Sequence, residues 1–256
     1  MNSNNEASKL IKIIYQHLDS KTDYFYDEDK LTLSLNSRKH HRSQTFFLYP
    51  GQWLLFLDHD CELSEEIFYR IQNELNSLNH STVYAGFYQN PEKSSLLQRT
   101  HNFICNVWLK KHLVNLKSER FLGGFFLLHS NEKLIEFAKL QSQQQLFWGA
   151  EDDILAKTLV QKYSYNIQLC PEWFVTHNTT KSFNHFVRRA FWQGWNKAKY
   201  LKDEGRNIKK SLFDGCSSLH EQETGIVVFV LLHFLILTLA EKLQAIVQWS
   251  RRVKWP

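Results

Sequence analysis

The feature that most constrains the fold is an apolar run that ends in two acids. Trp53-Leu-Leu-Phe-Leu57 lies between Pro50-Gly51 and the pair Asp58 and Asp60. An uninterrupted apolar run of this length is typical of a strand buried on both faces of a parallel sheet. Ligands collect outside the carboxyl ends of such strands, so the two acids stand where a site is expected.

The rest of the first 180 residues alternates between strand and helix patterns. Ser64 is a suitable N-cap for a helix that runs to Leu75. Further strands are expected over residues 31–35, 83–88, 121–128 and 166–169, and helices over residues 7–19, 131–140 and 151–162. After the last strand, Pro171, Trp173 and His177 are expected to lie in a loop. This alternation predicts an α/β fold with a mixed, mostly parallel sheet flanked by helices.

Two helical segments follow, so we divide the chain into a domain over residues 1–180 and a helical region over residues 181–256. Residues 183–201 are predicted to form an amphipathic helix rich in aromatic and basic side chains. Residues 226–240 are apolar apart from His233 and Thr238. These 15 residues fall short of the roughly 20 that cross a bilayer. The segment is therefore predicted to be buried or to lie at a membrane interface.

Basic and aromatic residues after the apolar segment favour the membrane interface. Arg251, Arg252 and Lys254 stand beside Trp249 and Trp255, as at a layer of anionic headgroups. We expect peripheral membrane contact through residues 226–256. The alternative is a pair of helices that closes the protein's own core.

The composition indicates a folded protein of a reducing compartment. The 256 residues are 43% hydrophobic, which excludes a mostly disordered chain. Four cysteines lie far apart without a CxxC pair, which indicates neither a zinc ribbon nor a disulfide framework. The amino terminus has no basic region followed by an apolar run, so no secretory signal is expected. We expect a cytoplasmic protein, at the inner face of the membrane.

The net charge of +5 comes mainly from basic clusters at residues 38–42 and 181–210. Such clusters suit nucleic acid, anionic lipid or a diphosphate, and a solvated face is the alternative. A nucleic-acid partner is not expected, because the acidic motifs lend it no support.

Asp58 and Asp60 are suited to metal binding. Two carboxylates one residue apart can hold a hard divalent cation, Mn²⁺ or Mg²⁺, against the oxygens of a diphosphate. The alternative is a pair of solvated acids, but their position between a buried strand and a helix favours the metal site. His177 is a candidate further ligand through one ring nitrogen, although a loop histidine is commonly just polar surface.

Trp148-Gly-Ala-Glu151-Asp152-Asp153 forms a second acidic motif, at the start of a predicted helix. The helix dipole favours ionised carboxylates there, so Asp152 is a candidate general base that takes a proton from a hydroxyl. The ring of Trp148 offers a face on which a sugar can stack. A helix start that merely carries acids is the alternative, and it leaves the Trp-Gly lead-in unexplained.

In their order and spacing these motifs resemble family-two glycosyltransferases, over roughly residues 40–200. Arg42 precedes Gly51 in a segment similar to the ARNxG segment of that family, and Phe56-Leu-Asp58-His-Asp60 matches its DxD motif. Gly123 and Gly124 resemble the strand entry beside the donor sugar.

The second half is also similar to galactosyltransferases of the lactose-synthase type. Residues 148–153 resemble their WGxEDD segment, and His177 falls where these enzymes place a histidine metal ligand. Residues 186–194 are similar to the RRxFxQG helix that follows the catalytic region in many bacterial members.

The resemblance implies a GT-A type nucleotide-sugar fold and an inverting, metal-dependent transfer from a nucleotide-sugar donor to a saccharide or lipid-linked acceptor. It also implies roles for nine residues: donor binding by Arg42, Asp58, Asp60, Gly123 and Gly124; metal binding by Asp58, Asp60 and His177; acceptor binding by Trp148 and Glu151; and catalysis by Glu151 and by Asp152 as the base.

The chain also departs from the family pattern. The family's first strand ends in a Pro-x-Tyr-Asn type sequence that seats the nucleotide base, and no such segment precedes residue 41. The first strand is therefore expected to be missing. Either Tyr24 to Asp29 supplies a substitute acidic edge, or the chain is an inactive carbohydrate-binding or scaffold protein. Arg42 is followed by Ser43 rather than Asn, which leaves the role of that segment open.

Overall fold

The chain forms a mixed α/β fold with a large sheet and a group of helices. A computed structural model describes residues 11–17, 25–27, 32–36, 49–58, 60–110, 117–118, 121, 123–136, 151–179, 182–200 and 223–252. Within these ranges the protein consists of two compact units. One unit contains the sheet, and the other contains three helices.

Nine strands form one sheet in the described part of the chain. They are β1 (Ile11–His17), β2 (Phe25–Asp27), β3 (Thr32–Asn36), β4 (Trp53–Asp58), β5 (Cys61–Glu62), β6 (Thr82–Gln89), β7 (Lys117–Ser118), β8 (Phe125–His129) and β9 (Asn166–His177). Their order is β2-β3-β1-β4-β8-β6-β9-β5, and β7 pairs with β9 off this path.

Most of the strands run in the same direction. β1 is parallel to β3 and β4, and β6 is parallel to β9, while β8 is antiparallel to both β4 and β6. The carboxyl ends of β1, β3, β4, β6 and β9 therefore meet at one edge of the sheet. The mixed sheet expected from the sequence is confirmed, with five strands in one direction and four in the other, although only three of the eight described strand pairs are parallel.

Five long helices accompany the sheet in the described residues. They are α1 (Glu65–Glu74), α2 (Leu96–Lys110), α3 (Glu151–Gln161), α4 (Phe183–Tyr200) and α5 (Thr224–Arg252). A 3₁₀ turn, Leu75–Ser77, follows α1, and residues 132–136 are also helical. The predicted cap of α1 is confirmed, because the Ser64 hydroxyl accepts a hydrogen bond from the Ile67 N–H at 3.3 Å. α2 has no counterpart among the sequence predictions.

The amino-terminal helix and the missing first strand predicted from the sequence are both wrong. Residues 11–17 form β1, which lies between β3 and β4 and pairs in register with the latter, Ile13 opposite Leu55 and Ile14 opposite Phe56. A short apolar segment fits either a buried strand or a buried helix by its periodicity. The β-branched Ile11, Ile13 and Ile14 favour the strand.

The loop predicted after residue 169 is also wrong, because β9 continues to His177. Trp173, Val175 and His177 are buried, with more exposed residues between them, as in a strand with one face in the core. The pairing with β6 shifts register between Ala85 and Phe87, opposite the segment that contains Pro171. Proline lacks an N–H, so it is tolerated at such an irregularity rather than in a regular ladder.

The helical unit contains α2, α4 and α5. Phe103 and Val107 of α2, Phe186 of α4 and Val230 of α5 belong to one buried cluster. A Cβ at Gly194 would overlap the backbone carbonyl of Leu237, so glycine permits α4 and α5 to approach closely. This unit takes α2 from the middle of the chain, whereas the predicted division was a single one after residue 180.

Among the described residues, α5 is a helix that is both long enough and apolar enough to cross a membrane, judged by length and composition alone. Residues Thr224–Gln248 form a stretch of 25 residues that contains an 18-residue window with a mean hydropathy of 2.2. The sequence pattern suggested that the apolar segment ends at Ala240, but the helix continues through Glu241 and Lys242 to Arg252. Core helices of soluble proteins can have the same properties, so this is a weak indication.

Two stacked histidines lie near the amino end of β4. The rings of His80 and His129 are parallel at 3.8 Å, and Trp53 meets His129 edge-on at 5.2 Å. Burial lowers the pKa of His129, the neighbouring His80 lowers it further, and a hydrogen bond with the backbone of Gly51 partly opposes both effects. His129 therefore takes up a proton less readily in the folded chain than in the unfolded chain.

We predict that this histidine makes the fold sensitive to acid. The lowered pKa contributes stability that is fully present above the unfolded value of about 6.5 and is lost as the pH falls below it. His129→Gln should reduce the fall in melting temperature between pH 7 and pH 5. The control is His185→Gln, at an exposed position of α4. Equal pH dependence in the wild type and in His129→Gln would contradict the assignment.

Candidate functional site

The candidate site lies at the sheet edge where the carboxyl ends of the parallel strands meet. Asp58 is the last residue of β4 and is buried, with 3% of its surface exposed. Its backbone N–H donates to the carbonyl oxygen of Gly124, at the entry to β8, over 3.0 Å. The first acid of the DxD motif is thus fixed against the neighbouring strand.

The second acid is positioned by the short strand β5. Cys61 of β5 pairs with His177, and Glu62 pairs with Thr176, in an antiparallel ladder with the end of β9. This pairing brings Nε2 of His177 to 3.5 Å from Oδ1 of Asp60. The His177 side chain is 1% exposed and that of Asp60 is 22% exposed. The predicted proximity of the DxD motif and His177 is present in the structure.

Gly124 lets the Asp58 carboxylate and the Tyr88 hydroxyl pack closely against the turn before β8. A Cβ at this position would overlap the Tyr88 hydroxyl and would lie 2.5 Å from Oδ2 of Asp58. The Tyr88 ring in turn packs against the His177 ring, with centroids 4.0 Å apart and an interplanar angle of 31°. Only a residue without a side chain fits between the Asp58 carboxylate and Tyr88. Gly123 lies in the same turn.

The donor atoms at this edge fit a metal ion. The Asp60 carboxylate, the Cys61 thiol and an imidazole nitrogen of His177 offer ligand atoms that all lie within 4.8 Å of one another. Ligand atoms about 2.0–2.3 Å from a tetrahedral ion are separated by about 3.3–3.8 Å. The 3.5 Å between Asp60 and His177 agrees with that spacing. Asp58 lies outside this group of three, so its metal role stays a prediction.

The other predicted site residues are only partly described. Glu151 and Asp152 open α3, which confirms that the acidic motif begins a helix. Their side chains, together with Trp148 and Arg42, lie outside the part of the chain whose atoms are described. The roles of these four residues in acceptor binding, donor binding and proton transfer therefore stay predictions.

Sequence reasoning missed two residues of this edge, Cys61 and Tyr88. Cys61 directly follows the DxD motif, and Tyr88 stands near the carboxyl end of a predicted strand. The sequence therefore showed that both residues lie near the site. It did not show that they are close to His177, because this depends on the pairing of β5 with β9 and of β6 with β9.

Comparisons with known proteins give only remote similarity. No protein family matches the chain, and no curated protein matches it. A mannosyltransferase from Pyrobaculum calidifontis, solved in complex with GDP-Man and Mn²⁺, has a TM-score of 0.45 at 11% identity, over 96% of this chain and 81% of its own. A mycobacterial protein has a TM-score of 0.44 at 12% identity, over 77% of this chain and 75% of its own. Similarity this remote says nothing about substrate or metal.

We predict that Gly124→Ala damages the site more than the fold. The added methyl group forces the Asp58 carboxylate or Tyr88 to move, and overpacking of this kind costs about 1–3 kcal/mol. Metal binding, followed by calorimetry, should weaken together with a modest loss of melting temperature. Gly225→Ala in α5 is the matched control, because the atoms nearest to its new methyl group belong to the flexible side chain of Leu96. Unchanged metal affinity in Gly124→Ala would contradict the packing argument.

Proposed function

We propose that this chain is a metal-dependent glycosyltransferase with a GT-A type fold, which moves a sugar from a nucleotide-sugar donor to an acceptor hydroxyl with inversion. The observation that carries the proposal is the meeting of the DxD motif with His177 at the carboxyl edge of the sheet. These residues come from the ends of different strands, and they combine a carboxylate and an imidazole suited to a divalent ion.

On the donor side, Asp60 and His177 would hold Mn²⁺ or Mg²⁺, with Asp58 assisting. A divalent ion held there would supply positive charge to the departing nucleotide diphosphate. Gly123 and Gly124 lie beside the donor sugar, and the lack of a side chain at Gly124 lets the Asp58 carboxylate pack close to this turn. Arg42 contributes a positive charge toward the diphosphate.

On the acceptor side, Asp152 takes the proton from the attacking hydroxyl. Its position in the first turn of α3 supports this role, because the amino end of a helix favours the ionised carboxylate that a base requires. Glu151 and Trp148 orient the acceptor, through hydrogen bonding and through stacking on the sugar ring. The acceptor is a saccharide or a lipid-linked sugar. The protein acts in the cytoplasm, at the inner face of the membrane.

The rival proposal, an inactive carbohydrate-binding or scaffold protein, loses its main support. That proposal depended on the absence of the first strand, and β1 is present between β3 and β4. The carboxyl ends of β1 and β3 reach the same edge as Asp58, with Gln16 of β1 directly opposite Asp58. A nucleotide can thus be seated along this edge without a substitute from the segment after Tyr24.

The experiment that tests the proposal is a screen of nucleotide-sugars for thermal stabilisation of the full chain, with and without Mn²⁺. A donor that binds only the folded chain raises the melting temperature. Hits should then be incubated with saccharide and lipid-linked acceptors and analysed for release of the nucleotide diphosphate. Stabilisation by sugars without any nucleotide, and no turnover, would favour the binding protein instead.

We predict that Asp60→Asn abolishes metal-dependent nucleotide binding and transfer while the melting temperature of the metal-free chain changes little. The amide keeps the shape of the side chain but removes the charge that holds the cation. The matched control is Glu62→Gln, two residues away on β5 and exposed. If Asp60→Asn binds nucleotide and Mn²⁺ as tightly as the wild type, the metal assignment is wrong.

We also predict that Asp152→Asn lowers kcat by about two to four orders of magnitude, which is the usual contribution of a positioned general base. Donor affinity should stay nearly constant, since the base acts on the acceptor. Steady-state kinetics and donor titration measure the two effects separately. Wild-type turnover in this variant would move the base elsewhere, with Glu151 and Asp153 tested next.

A further inference from the structure

The metal site contains a third side chain, Cys61, to which the family resemblance gives no role. Cys61 is 4% exposed and lies directly opposite His177 in the antiparallel pair of β5 and β9. Residues opposite each other in such a pair project from the same face of the sheet, with Cβ atoms about 4.5–5.5 Å apart. The sulfur therefore faces the same space as the His177 ring and the Asp60 carboxylate, and the three donors lie within 4.8 Å of one another.

We propose that the Cys61 thiolate is a ligand of the divalent ion held by Asp60 and His177, an inference that rests on the metal site of the proposed function. On binding, the S–H bond is replaced by a bond from sulfur to the metal, and the proton leaves to solvent. A thiolate is a soft ligand, and carboxylate and water are hard ones. A set of one sulfur, one nitrogen and one oxygen ligand binds Zn²⁺ or Co²⁺ more tightly than Mg²⁺ or Mn²⁺. This inference therefore keeps the ligands Asp60 and His177 of the proposed function but replaces the Mn²⁺ or Mg²⁺ named there.

Two other described cysteines provide internal controls. Burial raises the pKa of Cys170 to about 12, with further contributions from Glu74 and Glu172, so this thiol stays protonated. Cys105 of α2 lies with its sulfur 3.4 Å from Nε2 of His101, which makes a second pair of thiol and imidazole. Among the described residues, only the group at Asp60 combines thiol, imidazole and carboxylate within reach of one ion. Cys105→Ser is therefore the most stringent control.

The test is a titration of the full-length chain with Co²⁺, followed by absorption spectroscopy. A bond from thiolate to cobalt gives a charge-transfer band in the near ultraviolet that oxygen and nitrogen ligands do not give. We expect this band in the wild type and in Cys105→Ser, and its loss in Cys61→Ser. Competition with Zn²⁺ and Mn²⁺ should show at least a tenfold weakening of Zn²⁺ binding in Cys61→Ser, with Mn²⁺ binding much less affected.

Several results would overturn the proposal. They are Co²⁺ binding without the band, a band that persists in Cys61→Ser, and no Co²⁺ binding at all. The proposed transfer reaction is tested separately by nucleotide-sugar binding. A sulfur band without any donor binding refutes the glycosyltransferase and leaves the metal site intact. Donor binding with Mn²⁺ and no sulfur band refutes the role of Cys61 and leaves the transferase.

A second inference concerns the outward face of α5 and has a separate basis. One side of this helix presents a stripe of exposed aliphatic side chains, each 48–59% exposed: Val228, Leu231, Leu235, Leu239, Leu243 and Ile246. The spacing of three or four residues keeps them on one face. From Val228 to Ile246 the stripe is about 27 Å long, at 1.5 Å per residue. We call these six residues the α5 stripe.

We propose that the α5 stripe lies on an anionic lipid surface, with the helix in the plane of the membrane. Among the exposed residues of α5 that the structure describes, the sole charge is Lys242, and Arg251 and Arg252 end the helix. An apolar face accompanied by basic residues complements anionic headgroups above an acyl layer.

The opposite face of α5 argues against a helix that crosses the bilayer. Ile226 and Phe234 pack in the buried cluster with α2 and α4, and the polar His233 and Gln244 are buried on the helix as well. A crossing helix would have to leave this packing and carry both polar side chains into hydrocarbon, which is costly. A helix in the membrane plane keeps the packing and buries only the stripe.

The test is flotation of the full chain with vesicles of phosphatidylcholine, with and without phosphatidylserine. We expect binding to the anionic vesicles. Leu235→Glu combined with Leu239→Glu should weaken this binding more than tenfold, since two leucines would no longer be buried in the lipid. The matched control is Tyr69→Glu, at a large residue of α1 that is 58% exposed. Melting temperatures verify that each variant is folded.

Three results would overturn this second proposal. The first is that the wild type fails to float with anionic vesicles at low salt. The second is that the double variant floats as well as the wild type but is a monomer in sedimentation where the wild type is a dimer, which would assign the stripe to a second copy of the chain. The third is that alkaline carbonate fails to release the bound protein, which would indicate a helix that spans the bilayer.

Discussion

The pairing of β5 with the end of β9 is the constraint on which the candidate site depends. After β4 ends at Asp58, the chain turns and adds a strand of two residues, Cys61–Glu62, beside Thr176 and His177. The turn carries Asp60, so the pairing fixes its carboxylate beside the His177 ring. Two segments far apart in the sequence are joined here by backbone hydrogen bonds, which hold the side chains in place before any ligand arrives.

The parts of the fold that depend on local sequence were predictable. β4 and β6 were recognised as apolar runs, and α1 was recognised from its serine cap and spacing. β1 was not, because a short apolar segment has no periodicity that separates a buried strand from a helix. α2 was overlooked, although Leu96, Phe103 and Val107 recur at helical spacing. The fold class followed from the strands and helices that were recognised correctly.

The candidate site was predictable only as far as motifs extend. Asp58 and Asp60 were found from their position after a buried strand, and His177 was found from its position relative to these motifs. The structure brings Asp60 and His177 together. Cys61 and Tyr88 were not found, because each meets His177 across a strand pair, and sequence gives no register for partners so far apart. The extension of β9 past Pro171 was hidden as well. Proline usually argues against a strand, and here it lies where the register with β6 is already irregular.

The two faces of α5 show how one helix can satisfy two different environments. Toward α4 the backbones approach closely at Gly194, and Phe186 meets the buried His233 ring at 5.6 Å, so this face is shaped for specific protein contacts. The outward face has exposed aliphatic side chains. Their burial is favourable in any surroundings that exclude water and does not require a partner of matching shape. A helix apolar on both sides therefore does not have to cross a membrane. Packing that fixes one face, with lipid covering the other, accounts for the same composition.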